Sequence, residues 1–111
     1  MDVLLVNLDP SVCESMAAVL RQWHDVRVAT GFRDAIGKVV WRAPDVIVAD
    51  LDLSPYRGDH LLAMVARELP QVRRVLYTNL DRVARSFAGL AHATLPRWAP
   101  LSDLLAAING R

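Results

Sequence analysis

Five short apolar runs alternate with amphipathic segments along the chain. The runs lie at 3–8, 26–30, 46–49 and 75–78, with a weaker one at 92–95, and each has the length and branched-residue content of a β-strand. Between them, apolar residues recur at helical spacing. Val12, Met16, Val19, Leu20 and Trp23 form one stripe, and Phe32, Ala35, Ile36, Val39 and Val40 a second. Leu61, Leu62, Val65 and Leu69 mark a third helix, Val83, Phe87 and Leu90 a fourth, and Leu101, Leu104, Leu105 and Ile108 a fifth that Gly110 stops. Helix one has two candidate starts: Asp9 as N-cap with Pro10 in the first turn, or a capping box from Ser11 to Glu14. Strands one, three and four are apolar nearly throughout, as strands covered on both faces must be, whereas Val26, Arg27 and Val28 alternate as on a sheet edge. The pattern predicts a single α/β domain over residues 1–111. It is a doubly wound (βα)5 unit with a five-stranded parallel sheet, and right-handed crossovers lead to the strand order 2-1-3-4-5.

Composition narrows the function classes. A chain of 111 residues, 53% hydrophobic and 23% charged, is long enough for one packed core and too short for two. Lys and Arg total 13 against 12 Asp and Glu, so a net charge of +1 supplies no overall field toward nucleic acid or an anionic membrane. Nearly all the basic residues are arginine, with Lys38 the one lysine. Cys13 is the sole cysteine, which excludes an intrachain disulfide and a cysteine metal cluster. No apolar run approaches the roughly 20 residues of a membrane span, and the N-terminus has no basic region followed by a signal core. A cytoplasmic domain without an attached output domain is expected.

The candidate chemistry centres on Asp50, which closes the third apolar run. Open α/β sheets place their chemistry at such C-terminal strand ends. Asn7, Leu8 and Asp9 end the first run, Asp52 lies two residues beyond Asp50, and Thr78 and Asn79 end the fourth. The stretch Val-Leu-Leu-Val-Asn-Leu-Asp-Pro-Ser-Val from Val3 to Val12, the segment around Asp50 from Pro44 to Gly58, and Val75-Leu76-Tyr77-Thr78 together resemble a response-regulator receiver domain, over essentially the whole chain. The resemblance implies the flavodoxin-like receiver fold, with Asp50 at the phosphoacceptor position and Thr78 at the hydroxyl that contacts the phosphoryl group.

The resemblance also marks departures. Receivers carry two acidic residues after strand one that bind Mg²⁺ together with the acceptor. Here Asn7 and Leu8 stand in their place, with Asp9 after them. Leucine supplies neither oxygen nor charge, so only weak Mg²⁺ binding is expected, through Asp9, Asp50 and Asp52 if at all. The lysine that grips the phosphoryl group is also missing: its position aligns either with Leu95 or with Arg97, and only Arg97 preserves a cation. The aromatic switch position falls on His92 or Thr94 according to the same choice. Asn79 stands where a small residue leaves room for phosphate.

The expected function is an atypical, phosphorylation-independent receiver acting as a protein interaction module in bacterial signalling, without turnover chemistry of its own. The alternative is a working phosphoacceptor that uses Asp9 or Asp52 for the missing ligands. Asp50 and Asp52 also match the aspartate-x-aspartate opening of haloacid-dehalogenase-type phosphatases, but after the third strand instead of the first. Scattered glycines exclude a dinucleotide or P-loop motif. Two tryptophans fall outside the core stripes, Trp41 and Trp98. Receivers commonly bind dimer or output partners through helix four, strand five and helix five. Here that face would carry Arg82, Arg85, Arg97 and Trp98, for a kinase, an output regulator or a second copy of the chain.

Overall fold

The computed structural model describes residues 1–78 and 89–110. Seven strands and four helices occur among them: β1 (Asp2–Val6), α1 (Pro10–Leu20), β2 (Asp25–Ala29), α2 (Phe32–Trp41), β3 (Val46–Ala49), β4 (Asp52–Leu53), β5 (Tyr56–Arg57), α3 (Gly58–Glu68), β6 (Arg73–Thr78), β7 (Ala93–Pro96) and α4 (Leu101–Asn109). Five of the strands form one parallel sheet in the order β2-β1-β3-β6-β7. The numbers run past five because β4 and β5, a two-stranded antiparallel ribbon between β3 and α3, were not anticipated from the sequence. Each is two residues long, below the length at which alternation is visible.

Alternation within the strands divides the core. Leu4, Val6, Ile47, Ala49 and Leu76 point to one side of the sheet and pack with Ala35, Val39, Leu61, Leu62 and Val65 of α2 and α3. Val3, Leu5, Val46, Val48 and Val75 point to the other and pack with Ala17, Leu20, Leu104, Ala107 and Ile108 of α1 and α4. Full burial of one such leucine contributes about 1.5–3 kcal/mol, so β1 and β3, buried along nearly their whole length, anchor the sheet. The edge strand β2 keeps Arg27 and Val28 half-buried.

Local signals explain the start of α1 and the end of α4. Asp9 is the N-cap of α1, its Oδ1 accepting from the Ser11 amide at 2.9 Å with Pro10 at the first helical position, so the first of the two candidate starts is the one used. Gly110 closes α4 with φ 81°, a left-handed conformation that favours glycine. Three described residues of the predicted stripes are exposed, namely Trp23, Val40 and Leu101, the last at the first position of α4. Trp23 lies beyond the end of α1 and is exposed; the inward face of that helix is Cys13, Ala17 and Leu20. Val40 is 81% exposed because Ala35 and Val39 already face the sheet and Val40 sits a further 100° around the helix. The fourth amphipathic segment, with Val83 and Phe87, falls outside the described residues, as do Asn79, Arg82 and Arg85.

Candidate functional site

Asp50 follows the last residue of β3, and its amide still donates to the Val6 carbonyl at 3.0 Å, so the backbone is fixed at the C-terminal edge of the sheet. The residue is only 7% exposed. A carboxylate so placed must have its charge and lone pairs met by neighbours. Asn7, in the next strand connection, donates from Nδ2 to Asp50 Oδ2 at 3.2 Å, and the Asp52 amide reaches Oδ1 at 3.3 Å. A further partner is a cation: the Arg97 guanidinium donates from Nη2 to Asp50 Oδ2 in a close ion pair.

Arg97 reaches Asp50 because its backbone is held at two points. Its amide donates to the Thr78 carbonyl at 2.9 Å, extending the β6–β7 ladder by one residue, and its own carbonyl accepts from the Tyr77 hydroxyl at 2.7 Å. Neighbouring strands stand about 4.8 Å apart. From the far edge of the sheet, across β6, a long side chain is required, and arginine supplies it. Leu95, the other candidate for a cation position, packs instead with the core on the α1 and α4 side.

The remaining predicted residues have local partners. Asn7 Oδ1 accepts from the Asp9 amide at 2.9 Å, which leaves its amide nitrogen for Asp50. Asp9 is occupied as the cap of α1. Leu8 is exposed. Asp52 accepts from the Ser54 hydroxyl at 2.6 Å and the Ser54 amide at 3.1 Å, and these bonds hold its carboxyl below the usual carboxylate range. Thr78 ends β6 and is buried. Two contributors escaped the sequence reading. Gly58 packs so closely that a Cβ there would lie 1.9 Å from the Asp50 carbonyl oxygen. The signal available was a glycine opening the third helix, where a better helix former is usual. Cys13 lies beneath the site and its thiol donates weakly to the Asn7 carbonyl at 3.5 Å; burial pushes that thiol up.

No protein-family model and no curated protein matches the chain. Solved structures do. The BeF3-activated N-terminal receiver domain of RstA from Klebsiella pneumoniae superposes with a TM-score of 0.89 at 25% identity, over 98% of this chain and 96% of that one. The response regulator TrrA from Thermotoga maritima, in complex with Mg(2+)-BeF, gives a TM-score of 0.91 at 14% identity, over 98% and 96% of the two chains. The BeF3-activated receiver domain of DrrB gives 0.88 at 20% identity, over 98% and 94%. The chain has the receiver fold.

Within that fold the described residues around Asp50 do not fit a magnesium ion. Mg²⁺ demands octahedral oxygen coordination with carboxylate charge. Here Asp50 is paired with a guanidinium, Asn7 presents its amide nitrogen to the carboxylate, and Leu8 has no donor. Among the described residues no three His, Cys, Asp or Glu side chains converge as a metal site. Asp52 also makes a poor general acid. Its hydrogen bonds stabilise the ionised form, whereas the second aspartate of a haloacid-dehalogenase-type phosphatase must hold a proton to deliver. His92, one candidate for the switch position, precedes β7 at the end remote from Asp50, where its Nδ1 accepts from the Arg74 amide at 2.9 Å.

Proposed function

We propose that this receiver is an interaction module of bacterial signal transduction that works without phosphorylation. One observation carries the reading: the Arg97 guanidinium already occupies Asp50. In a phosphorylatable receiver, a divalent ion and a lysine neutralise the acceptor and the transferring group. Here a tethered cation neutralises the acceptor permanently, and bidentate-capable guanidinium is the side chain best suited to hold a carboxylate. The acceptor's negative charge becomes part of the resting structure instead of a chemical handle. Arg97 stands in the lysine role, and Thr94, not His92, takes the switch position in the corresponding register.

The ion pair also ties the loop after β7 to the centre of the sheet. Trp98 follows Arg97 directly and is 64% exposed, the kind of residue that anchors interfaces. The proposed output surface therefore includes Trp98, β7 and α4, with Arg82 and Arg85 as its expected basic part. Its partner is a signalling protein, either a kinase or an output regulator. Partner capture from lysate of the source cell tests this: bound protein should be unchanged by adding a small phosphodonor and should fall sharply with Trp98→Ala. Capture that requires the phosphodonor contradicts the proposal.

A second reading, in which Asp50 still accepts a phosphoryl group, draws support from position. Asp50 ends β3 and Thr78 ends β6, in a fold shared with proteins whose names record Mg²⁺ and BeF3 complexes. It requires Arg97 to leave Asp50 and a divalent ion to bind in its place.

A further inference from the structure

The C-terminal ends of α2 and α3 bound an apolar surface that the described domain leaves uncovered. A groove of about 480 Å³ runs between the two helices, with Ile36, Val40 and Trp41 on one wall and Met64 and Leu69 on the other. Trp41 is 75% exposed, beside the exposed Val40. Its ring lies 5.4 Å from the Arg42 guanidinium carbon, a cation–π contact that holds a large aromatic at the surface. This face is remote from Asp50: the helices run back against the strands, so their C-terminal ends lie at the opposite edge of the sheet.

We propose that the groove is the interface of a symmetric dimer, in which Trp41 of each copy of the chain seats in the groove of the other. The argument is one of charge and symmetry. Arg42 flanks the α2 wall and Glu68 the α3 wall, so the surface carries one cation and one anion on opposite sides of an apolar floor. Both helices follow strands of one parallel sheet and pack on the same side of it, so they run in the same direction. A twofold axis along the groove then lays α2 of one copy on α3 of the other with their C-terminal ends together. Arg42 of each copy meets Glu68 of the other, twice, as a self-complementary patch must. A partner surface of uniform charge would instead meet one wall with its own sign. Arg42 now pairs with Asp2 at 3.2 Å, but its own side chain is exposed, and the largely buried Asp2 keeps Arg27 as a second partner at 3.0 Å, so Arg42 can turn away without leaving that carboxylate unpaired; Glu68 pairs with Arg67 at 3.1 Å, an exposed pair of small net worth. The net charge of +1 opposes association negligibly.

Sedimentation velocity of the full chain over a wide concentration series is the test. A reversible monomer–dimer equilibrium is expected, and Trp41→Ala should raise the dimer dissociation constant about 900-fold, because the twofold axis makes the substitution remove two buried aromatic anchors worth roughly 30-fold each. Glu68→Arg and Arg42→Glu should each weaken the dimer, and the double reversal should restore most of it, because the swapped charges meet again across the axis. Val40→Asp, at an exposed position, should abolish association without touching the Asp2 pair, with circular dichroism reporting an unchanged fold. Monomer at every concentration overturns the proposal, as does a dimer indifferent to Trp41→Ala and Val40→Asp. Failure of the double reversal to recover association overturns the symmetric docking, and a dimer broken by Trp98→Ala instead places the contact on the β7 and α4 face.

Discussion

Removing the guanidinium from Arg97 leaves Asp50 as a buried anion that keeps, among the described residues, the neutral Asn7 amide and Asp52 N–H as donors. Deleting one partner of a fully buried pair costs about 3–5 kcal/mol, because the other charge stays uncompensated. The Arg97 side chain is 29% exposed, so water can reach the vacated space and the cost drops to about 2 kcal/mol. For a domain of 111 residues that is a fall in Tm of about 8 °C. The penalty has a distinctive dependence. In an Asp50→Asn background the carboxylate charge is gone, so Arg97→Ala should cost only about 0.5 kcal/mol, a coupling of about 1.5 kcal/mol between the two positions. Urea unfolding of the four proteins followed by circular dichroism measures it, with constant m confirming that the comparison is of stability alone. If Arg97→Ala costs the same in both backgrounds within about 0.5 kcal/mol, the ion pair does not hold the site, and the account of Asp50 as a neutralised structural anion fails.

Two other outcomes follow. His92 is held below its ordinary value by burial and by Arg74 and Arg73, and His24 by burial and the N-terminal ammonium. The unfolded chain therefore binds protons that the folded one resists. Stability should be full above about pH 6.5 and decline as pH falls through the depressed folded values, more weakly in His92→Gln, as denaturant midpoints from about pH 7.5 to about pH 5 will show. Asn7→Asp with Leu8→Asp and Arg97→Ala should create calorimetrically measurable Mg²⁺ binding and a Mg²⁺-dependent rise in Tm, since three carboxylates then converge without a competing cation; absence of both effects would mean that the end of β1 is misaligned with the receiver site.

The strand ends were legible because continuous apolar runs stopped by Asn, Asp or Thr have few other readings. Asp50 at the edge of a buried strand followed from that alone. The helix faces were less legible, since α2 offers Val39 and Val40 side by side and spacing cannot say which one meets the sheet. Trp23 was misplaced for a related reason: an apolar residue at the right interval is counted even when the helix has already ended at Leu20. The ribbon of β4 and β5 and the close approach of Gly58 to Asp50 depend on contacts within a tight turn, which leave no periodic trace. Arg97 was recognisable as one of two alternatives. Which of the two reaches Asp50 depends on where β7 ends and how far a side chain extends across β6, quantities set by tertiary register and not by the residues of the strand itself.

Intact-mass spectrometry of the unmodified chain after incubation with a small-molecule phosphodonor and Mg²⁺ tests the central claim most directly. The account predicts no species heavier by one phosphoryl group, because Arg97 occupies the carboxylate and the neighbouring residues do not fit the metal that the transfer needs. Substantial labelling at Asp50 that disappears with a chelator would contradict it and establish this chain as a working phosphoacceptor.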